Sequence, residues 1–480
     1  MDTNIGAKER VTQNRLIGLF KNVLKYTYLG NWETREDNAN IEEKLLTAYL
    51  SRRGYTDKEI RSSIVKLKQS ANSLGGGLYN ANKEVYTFLR YGVNIQAEVT
   101  EKKKMVHLID WANPMENDFQ IAEEVTIQGA SDRRPDLVVY VNGIALAVIE
   151  LKRSTVSAHE GIRQNIRNQQ DGYIPRFFTT IQLLFAGNDT EGLHYGVIKT
   201  PEKFWLRWKE PCGEPCQPSH FTAKEYPNEL DRSVLQFFEP VRLLEYIHDF
   251  IIFDGGIKKT ARPNQYFAVK AAQPRVRKKQ NGIIWHSQGS GKSLTMVWLA
   301  QWIRENVSDA RVVIITDRDE LDKQIESGFK DVGEQIQRAK SGGKLIEMLN
   351  AAEPWLICTL IHKFGNKNDS DAISVGNKKA SKSLDLYLEE LAKSLPADFC
   401  AKGNIYVFID ECHRTQGGML HEAMKHIMGN DVMLIGFTGT PLLHTDKKKS
   451  IETFGSYIHS YKFNEAVEDG VILDLRYEAR

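Results

Sequence analysis

From residue 261 onward, apolar runs alternate with helical stretches, and this alternation constrains the fold of the second half more than any other feature. The apolar runs include "GIIWH", "RVVIIT", "NIYVFID" and "VMLIGFT". Strands that are apolar throughout and separated by helices indicate a parallel sheet that is covered on both faces. The second half is therefore predicted to be a parallel-sheet α/β domain.

The first half has a different pattern. Strand-like runs are predicted at 105–109, 120–127, 136–141, 144–151 and 181–186, with helices at 41–55 and 158–170. Residues 209–233 contain four prolines and few aliphatic side chains, which is typical of a connection. We predict a mixed α/β domain over 1–205, a connecting region over 206–260 and the parallel-sheet domain over 261–480.

Length, charge and cysteine content restrict the class of protein but do not identify a partner. The 480 residues include 64 basic and 62 acidic side chains, and no apolar run approaches the ~20 residues of a membrane span. We therefore expect no membrane partner. Five scattered cysteines favour a reducing cytoplasm over a disulfide scaffold. The basic run at 258–279 suits either phosphate contact or a solvated surface.

A glycine-rich loop follows the strand "GIIW" and opens a helix. In "WHSQGSGKSLTM", Gly289 and Gly291 permit a close turn, and backbone N–H groups at a helix start can face phosphates. Lys292 can reach the phosphates of ATP, and the Ser293 hydroxyl can bind Mg²⁺. Gln288 and Ser290 complete the predicted loop. The strict G-x4-G-K-[ST] pattern would place Gly at 286, where this chain has His286.

Two consecutive carboxylates end the apolar run "NIYVFIDECH". Ligands bind at the carboxyl ends of strands in open parallel sheets, so Asp410 and Glu411 are predicted to lie at the nucleotide site. Asp410 would hold Mg²⁺ through its water shell, and Glu411 would orient or deprotonate the attacking water.

A hairpin in the first half carries Asp136, Glu150 and Lys152 among Val, Leu, Ile and Ala. Glu150 and Lys152 are two residues apart on a strand and share a face. A two-residue turn would pair 136 with 149 and separate Asp136 from Glu150, whereas a three-residue loop over 141–143 would pair 136 with 148 and keep them together. We predict the three-residue loop and a Mg²⁺ site on the shared face. Ordinary edge charges on a hairpin are the alternative.

The second half resembles the first motor domain of superfamily 2 helicases and translocases, through "GSGKS", "DECH" and "TGTP" in this order. The resemblance implies a RecA-like domain that binds ATP. It assigns adenine reading to Arg262 and Gln265 in "RPNQ", and coupling to nucleic acid to His413, Arg414, Thr438, Gly439 and Thr440. Such motors place ATP between two RecA-like domains, and a second is absent from these 480 residues. We expect weak nucleotide binding and little hydrolysis if the chain is complete, and suspect a longer natural polypeptide.

The first half resembles a PD-(D/E)xK nuclease, in which Asp136, Glu150 and Lys152 would cut DNA. Gln169 and Tyr173 in "QQDGY" match the Q-x3-Y motif of RecB-like enzymes. This resemblance implies DNA contact by these two side chains. Glu43 could add a metal contact, although a solvated helix-face acid is the simpler interpretation.

A nuclease ahead of such a motor resembles the restriction (R) subunit of type I restriction-modification enzymes. The resemblance implies a restriction-endonuclease-like domain followed by a RecA-like P-loop domain, which use Mg²⁺ and ATP. It also implies double-stranded DNA as substrate and methyltransferase and specificity subunits as partners. Two alternatives stay open: a superfamily 2 helicase or remodeller with an inactive nuclease-like domain, and a DNA-binding scaffold without enzymatic activity.

Overall fold

The computed structural model describes residues 5–96, 103–211, 220–316, 329, 336–339, 342–360, 399, 401–412, 431–440 and 454–472. The chain divides into two compact units. The first comprises residues 1–210 and 219–260, and the second comprises residues 211–218 and 261–480. Each unit has its own seven-stranded sheet.

The first unit contains eleven described strands and seven described helices. The strands are β1 (Thr27–Asn31), β2 (Val93–Ile95), β3 (Lys104–Val106), β4 (Phe119–Glu123), β5 (Leu137–Val141), β6 (Ile144–Leu151), β7 (Leu183–Asn188), β8 (Gly192–Gly196), β9 (Leu206–Arg207), β10 (Ile251–Asp254) and β11 (Ile257–Thr260). The helices are α1 (Ile5–Asn22), α2 (Glu43–Arg52), α3 (Asp57–Asn72), α4 (Gly77–Tyr91), α5 (Ala158–Asn168), α6 (Glu229–Phe238) and α7 (Pro240–Asp249).

The main sheet of this unit is mixed and has the order β1-β4-β5-β6-β7-β8-β9. The β1–β4 and β6–β7 pairs are parallel, and the other neighbours are antiparallel. Every residue of β5 and β6 is buried. Burial on both faces explains why these strands are almost continuously apolar. The predicted mixed α/β class is confirmed.

Helix α5 connects the parallel strands β6 and β7. Ser157 caps its first turn by accepting a hydrogen bond from the backbone N–H of His159. Gly161 lets the helix approach the sheet closely, since a Cβ atom there would lie 3.1 Å from the Ala186 Cβ and 3.3 Å from the Glu150 carbonyl oxygen. The side chains one turn further along α5 are therefore held near Glu150.

The end of the first unit is folded where the sequence indicated a connection. Helices α6 and α7 and the β10–β11 hairpin occupy most of 229–260 and belong to the first unit. Phe237 and Tyr246 are fully buried, and the Phe237 ring packs against Phe185 of the main sheet at a centroid distance of 4.9 Å. The prolines of 209–233 favoured the prediction of a connecting region, and no sequence pattern indicated these aromatic contacts.

The second unit contains the strands β12 (Gly282–His286), β13 (Ala310–Thr316), β14 (Gln337–Ala339), β15 (Leu356–Leu360), β16 (Asn404–Asp410), β17 (Met433–Thr438) and β18 (Tyr457–Tyr461). Its described helices are α8 (Pro263–Arg277), α9 (Lys292–Asn306), α10 (Gly342–Asn350) and α11 (Phe463–Glu468).

The second sheet has the order β14-β15-β13-β16-β17-β12-β18, and all its pairs are parallel. The predicted parallel-sheet class is therefore confirmed. Strand β12 lies between β17 and β18, and β16 lies next to β17. The carboxyl ends of these strands meet at one edge, where the sequence predicted a nucleotide site. Within the described parts of both units, no helix combines the length and apolarity needed to cross a bilayer.

Arg311 is a buried cation in the second unit, where it is only 2% exposed. Its guanidinium donates hydrogen bonds to the backbone carbonyls of Met348, Leu349, Ala351, Pro354 and Lys402. Three of these carbonyls lie in or just after the last turn of α10, where backbone acceptors lack helical partners. One side chain thus closes the end of this helix.

We expect Arg311→Met to destabilise the second unit by roughly 3 kcal/mol or more, because buried carbonyls lose their donors. Lys344→Met on the exposed face of α10 is the matched control, and its effect should stay within about 0.5 kcal/mol. Differential scanning calorimetry of the full chain would measure both. Equal melting temperatures of the second unit in the two variants would contradict the role given to Arg311.

Candidate functional site

The predicted three-residue loop between β5 and β6 is wrong. Asn142 and Gly143 form a two-residue turn with φ values of 54° and 80°, and Val141 pairs with Ile144. The Asn142 side chain stabilises this turn by accepting from the Asp118 N–H and donating to the Leu108 carbonyl. Asn-Gly is the preferred sequence for such a turn.

A β-bulge further along the hairpin restores the register that the site needs. Tyr140 pairs with Ala145 but Val139 pairs with Ala147, so Leu146 is an extra residue on β6. Leu137 then pairs with Ile149, which places Asp136 opposite Glu150. Directly opposite residues of an antiparallel pair share a face. The shared face was thus predicted correctly, but through a different irregularity.

Both carboxylates are held by neighbouring amide groups. Asp136 Oδ2 accepts from the backbone N–H of Leu151 at 2.6 Å, and Glu150 Oε2 accepts from Gln164 Nε2 at 2.7 Å. Glu150 is fully buried, and its Oε1 has no hydrogen-bond partner among the described residues. Glu150 Oε1 is therefore buried beside Asp136 without a donor group among the described residues.

Burial makes the charged forms of these two acids costly. It raises the pKa of Asp136 to about 6, although Lys152 opposes the change. Burial also raises the pKa of Glu150 well above its ordinary value, and the nearby Asp136 charge raises it further. A divalent cation would relieve both effects, since it favours ionised carboxylates and could bind Glu150 Oε1. The residues present therefore fit a divalent metal ion.

Lys152 lies beside these acids and contacts a residue that the sequence analysis missed. Its Nζ lies 3.3 Å from Glu9 Oε1 on α1 and donates to the Leu151 carbonyl at 2.8 Å. Burial lowers the pKa of Lys152, but Asp136, Glu150 and Glu9 together raise it above its ordinary value. The ammonium group thus stays charged next to the carboxylates. Nothing in the polar N-terminal sequence indicated this contact.

The structure gives the predicted Q-x3-Y residues other partners. Gln169 donates to the Asn165 carbonyl and accepts from the Lys199 N–H, and the Tyr173 ring lies 4.1 Å from the Arg133 guanidinium carbon. The amide that contacts Glu150 belongs to Gln164, which lies one turn after Gly161 on α5. The sequence signal that could have identified Gln164 is its position one helical turn after Gly161, the residue that lets α5 approach the sheet.

Glu43 lies at the other end of the hairpin. It begins α2, its side chain is 53% exposed, and it forms an ion pair with Lys68. Helix α2 packs on the turn, since a Cβ atom on Gly143 would lie 2.6 Å from the Leu45 Cβ. Five residues separate Asp136 from that turn, and the six residue steps from Asp136 to Asn142 correspond to roughly 20 Å of strand. The interpretation as a solvated acid is therefore favoured over a metal contact.

The glycine-rich loop has the geometry of a phosphate site. It follows β12 and leads into α9, which begins at Lys292. Gly289 and Gly291 have φ values of 82° and 88°, a region that side chains rarely adopt. Ser293 lies in the first turn of α9, where its hydroxyl is available for a cation that accompanies phosphate.

Three side chains of the "RPNQ" segment hold three consecutive carbonyls of this loop. Arg262 donates to the Gly289 carbonyl at 3.4 Å, Asn264 to that of Ser290 at 3.4 Å, and Gln265 to that of Gly291 at 2.9 Å. These contacts fix the direction of the three carbonyls, and the loop N–H groups other than that of Ser290, which donates to the Ser287 carbonyl, are left for a phosphate. The segment predicted to read adenine therefore also shapes the phosphate loop.

The carboxyl ends of β16 and β17 bring further groups to this loop. Lys292 Nζ lies 3.9 Å from Glu411 Oε1, and the Gly439 N–H lies 3.5 Å from Glu411 Oε2. Asp410 ends β16 and is 2% exposed. A Cβ atom on Gly439 would lie 2.7 Å from Lys292 Nζ and 2.9 Å from Gln288 Cγ. A side chain at 439 would therefore displace the Lys292 ammonium group or the Gln288 side chain.

The remaining predicted residues divide into two groups. The Thr440 N–H donates to Thr438 Oγ1 at 3.3 Å, so these two threonines form a local turn at the end of β17. His413 and Arg414 lie outside the described residues. The carboxylates Asp410 and Glu411, the lysine and the loop are nevertheless gathered at one sheet edge.

Comparisons with known proteins match each half separately. Residues 7–203 match the family described as "Type I restriction enzyme R protein N terminus", and residues 264–480 match the SWI2/SNF2 ATPase family. The first half of the chain is therefore similar to the N-terminal part of type I restriction enzyme R proteins, and the second half is similar to SWI2/SNF2 ATPases. The nuclease-like hairpin and the phosphate loop lie in the first and second matched segments, respectively.

Individual relatives align across most of the chain. A protein of Methanocaldococcus jannaschii, described as a candidate type I restriction enzyme endonuclease subunit, is 27% identical over 98% of this chain and 46% of its own length. The HindI endonuclease subunit of Haemophilus influenzae is 27% identical over 86% of this chain and 40% of its own length. The chain thus spans less than half the length of these relatives.

A relative from Staphylococcus saprophyticus, the type I restriction enzyme SsaAORF53P endonuclease subunit, is 26% identical over 78% of this chain and 37% of its own length. Among solved structures, the Sulfolobus solfataricus SWI2/SNF2 ATPase core in complex with dsDNA aligns with 46% of this chain and 40% of that chain. This alignment has 15% identity and a TM-score of 0.29.

We expect Glu150→Gln to stabilise the metal-free protein at about pH 8 by roughly 1–3 kcal/mol, since it removes a buried charge. The pKa of Glu150 is raised in the folded state, so wild-type stability falls as pH rises through the window above the ordinary carboxyl pKa. The advantage of the variant should therefore shrink towards about pH 4.5. Urea denaturation in EDTA would measure it.

Glu43→Gln is the control for this experiment, because its exposed carboxylate forms only a surface ion pair. Its effect should be small at both pH values. A Glu150→Gln protein that is less stable than the wild type at about pH 8 would show that the charged carboxylate is favourably held without a metal.

Proposed function

We propose that this chain carries both active parts of a type I restriction subunit: a Mg²⁺-dependent nuclease that cuts double-stranded DNA and an ATP-dependent motor that moves it. The observation that carries the nuclease proposal is the placement of Asp136 opposite Glu150 with Lys152 beside them. Two acids and a lysine at this spacing fit hydrolysis of a phosphodiester. The similarity of residues 7–203 to the N-terminal part of type I restriction enzyme R proteins supports the same conclusion.

In the proposed reaction, the carboxylates of Glu150 and Asp136 would hold the metal ion at the DNA phosphate. A bound Mg²⁺ would supply Lewis-acid stabilisation of the developing charge and a more acidic water. Lys152 positions the attacking water and offsets negative charge on the phosphate. Gln164 keeps Glu150 oriented through its hydrogen bond to Oε2.

The motor proposal depends on the phosphate loop and the two carboxylates that face it. The N–H groups of the loop and Lys292 bind the ATP phosphates, while Ser293 and Asp410 hold the accompanying Mg²⁺. Lys292 is within 3.9 Å of Glu411 without nucleotide. A phosphate would compete for Lys292, which leaves Glu411 available to orient water.

The finer assignments are also proposals. Arg262 and Gln265 read adenine, Gln169 and Tyr173 contact DNA, and Thr438, Gly439 and Thr440 couple nucleotide state to DNA together with His413 and Arg414. Methyltransferase and specificity subunits are the proposed partners, since the relatives are described as subunits. The cytoplasm is the proposed location. The domain assignments are a nuclease domain over 1–205 and a first RecA-like domain over 261–480.

We expect the full chain to nick supercoiled plasmid with Mg²⁺ or Mn²⁺, and expect Glu150→Ala and Lys152→Ala to lower the rate by roughly a hundredfold or more. The controls are Glu43→Ala, which changes a distant exposed acid, and an EDTA reaction. Gel electrophoresis measures the rate. Equal nicking by wild type and Glu150→Ala would refute the assigned centre.

A second measurement separates the alternative, a helicase or remodeller with an inactive nuclease-like domain. Mn²⁺ titration calorimetry should show one binding event that is lost in Glu150→Ala and retained in Glu43→Ala. Mn²⁺ binding without any nicking would favour a helicase or remodeller with an inactive nuclease-like domain. If neither Mn²⁺ binding nor nicking is seen, the nuclease proposal fails and only the motor proposal stands.

We expect Mg²⁺-ATP binding to be lost in Lys292→Ala, since the lysine contributes a charged contact to the phosphates. Lys344→Ala, an exposed lysine of the same unit, should bind ATP as the wild type does. Fluorescence titration with a labelled ATP analogue would measure both. Unchanged binding in Lys292→Ala would contradict the proposed nucleotide site.

A further inference from the structure

His286 occupies the position where a strict phosphate loop has glycine, and its side chain is fully buried at the end of β12. Its Nε2 lies 2.9 Å from Nδ1 of His459 on β18, and the two rings meet at an interplanar angle of 73°. Ile284 pairs with His459 across these parallel strands, so the two histidines share a sheet face. His459 is 5% exposed.

Asn264 defines which nitrogen of His286 carries the proton. Its side-chain Nδ2 lies 3.4 Å from His286 Nδ1, and an amide nitrogen can only donate. His286 Nδ1 is therefore the acceptor, and its proton lies on Nε2, where it is donated to His459 Nδ1. His459 in turn carries its proton on Nε2. One proton thus lies between the two rings.

The surroundings favour this neutral state. Burial lowers the pKa of both imidazoles, to about 4 for His459, and the nearby charges of His459 and Lys292 lower that of His286 further. The Tyr461 ring also lies on this side, with its centroid 6.0 Å from that of His286. A second proton would also set an N–H of His286 against the N–H of Asn264. The hydrogen-bond direction is therefore fixed.

The same Asn264 nitrogen donates to the Ser290 carbonyl in the phosphate loop. The other end of that loop is attached to β18, since the Ser287 N–H donates to the Tyr461 carbonyl at 3.0 Å. Ser290 in turn donates through its N–H and Oγ to the Ser287 carbonyl. A continuous chain of contacts therefore runs from His459 through His286 and Asn264 to the loop.

We propose that His286 and His459 are positioning residues for nucleotide binding: the imidazole pair orients Asn264, which holds the phosphate loop with its N–H groups facing the triphosphate. Neither histidine touches the nucleotide in this proposal. The inference rests on the proposed ATP site and adds to it the edge strand β18. A glycine at 286 would lack this connection.

The test compares two substitutions of His459 in the full chain. His459→Asn retains an acceptor near the Nδ1 position, whereas His459→Leu retains volume without an acceptor. We expect His459→Leu to raise the dissociation constant of Mg²⁺-ATP by about tenfold, and His459→Asn to restore it to within about threefold of the wild type. Equal weakening by both variants, or none, would overturn the proposal.

A double-mutant cycle tests the path through Asn264. Asn264→Ala should weaken binding by a similar factor, and the double variant with His459→Leu should be no weaker than the more affected single variant. If the factors by which the two single variants weaken ATP binding multiply in the double variant, the two residues act separately. That result would overturn the proposed path from His459 through Asn264 to the loop.

Imidazole nitrogen chemical shifts of the nucleotide-free protein provide a reading that does not depend on ATP. Both histidines are expected as Nε2–H tautomers, and His459→Leu should change the signal of His286. An Nδ1–H tautomer of His286 would contradict the assigned direction. The Lys292→Ala variant is the control that should bind no ATP. If the wild type also binds no ATP, the proposed nucleotide site is refuted, and the positioning role with it, even if the tautomers are as expected.

Discussion

The bulge at Leu146 decides whether the first unit has a site at all. Without it, the tight turn would pair Asp136 with Ile149, and Glu150 and Lys152 would project from the other face of the sheet. One extra residue changes that parity and gathers three charged groups in a buried position. The carbonyl of the bulged residue is paired, because it accepts from the Gln182 N–H at 2.7 Å. The register therefore depends on the chain that enters β7.

Both sites keep polar groups buried in arrangements that a ligand would complete. Glu150 is fully buried with one oxygen that lacks a partner among the described residues, and its raised pKa shows what this burial costs. In the second unit, Lys292 meets Glu411 only at 3.9 Å, and the loop carbonyls are held by the "RPNQ" side chains. In each unit hydrogen bonds hold the side chains around the charged groups in place, which is the preorganisation that the proposed hydrolysis requires.

Local sequence predicted the second unit better than the first. The strand, loop and helix of the phosphate site are consecutive, so their chemistry depends on short-range geometry that glycine spacing reveals. The fold of 229–260 was not evident, because its helices are held by aromatic contacts to β7 and β8, far away in sequence. Gln164 was missed for the same reason: only the approach of α5 to β6 selects it over Gln169.

The sequence by itself determined the parallel-sheet class of the second unit, the phosphate loop, and the set of Asp136, Glu150 and Lys152. These features follow from residue type and from spacing within one or two elements. Only the tertiary structure decided the turn and its compensating bulge, the contact of Glu9 with Lys152, and the pairing of His286 with His459. The reason is physical: each of these joins residues from separate elements, and the energy that selects them comes from packing and hydrogen bonds formed when those elements meet.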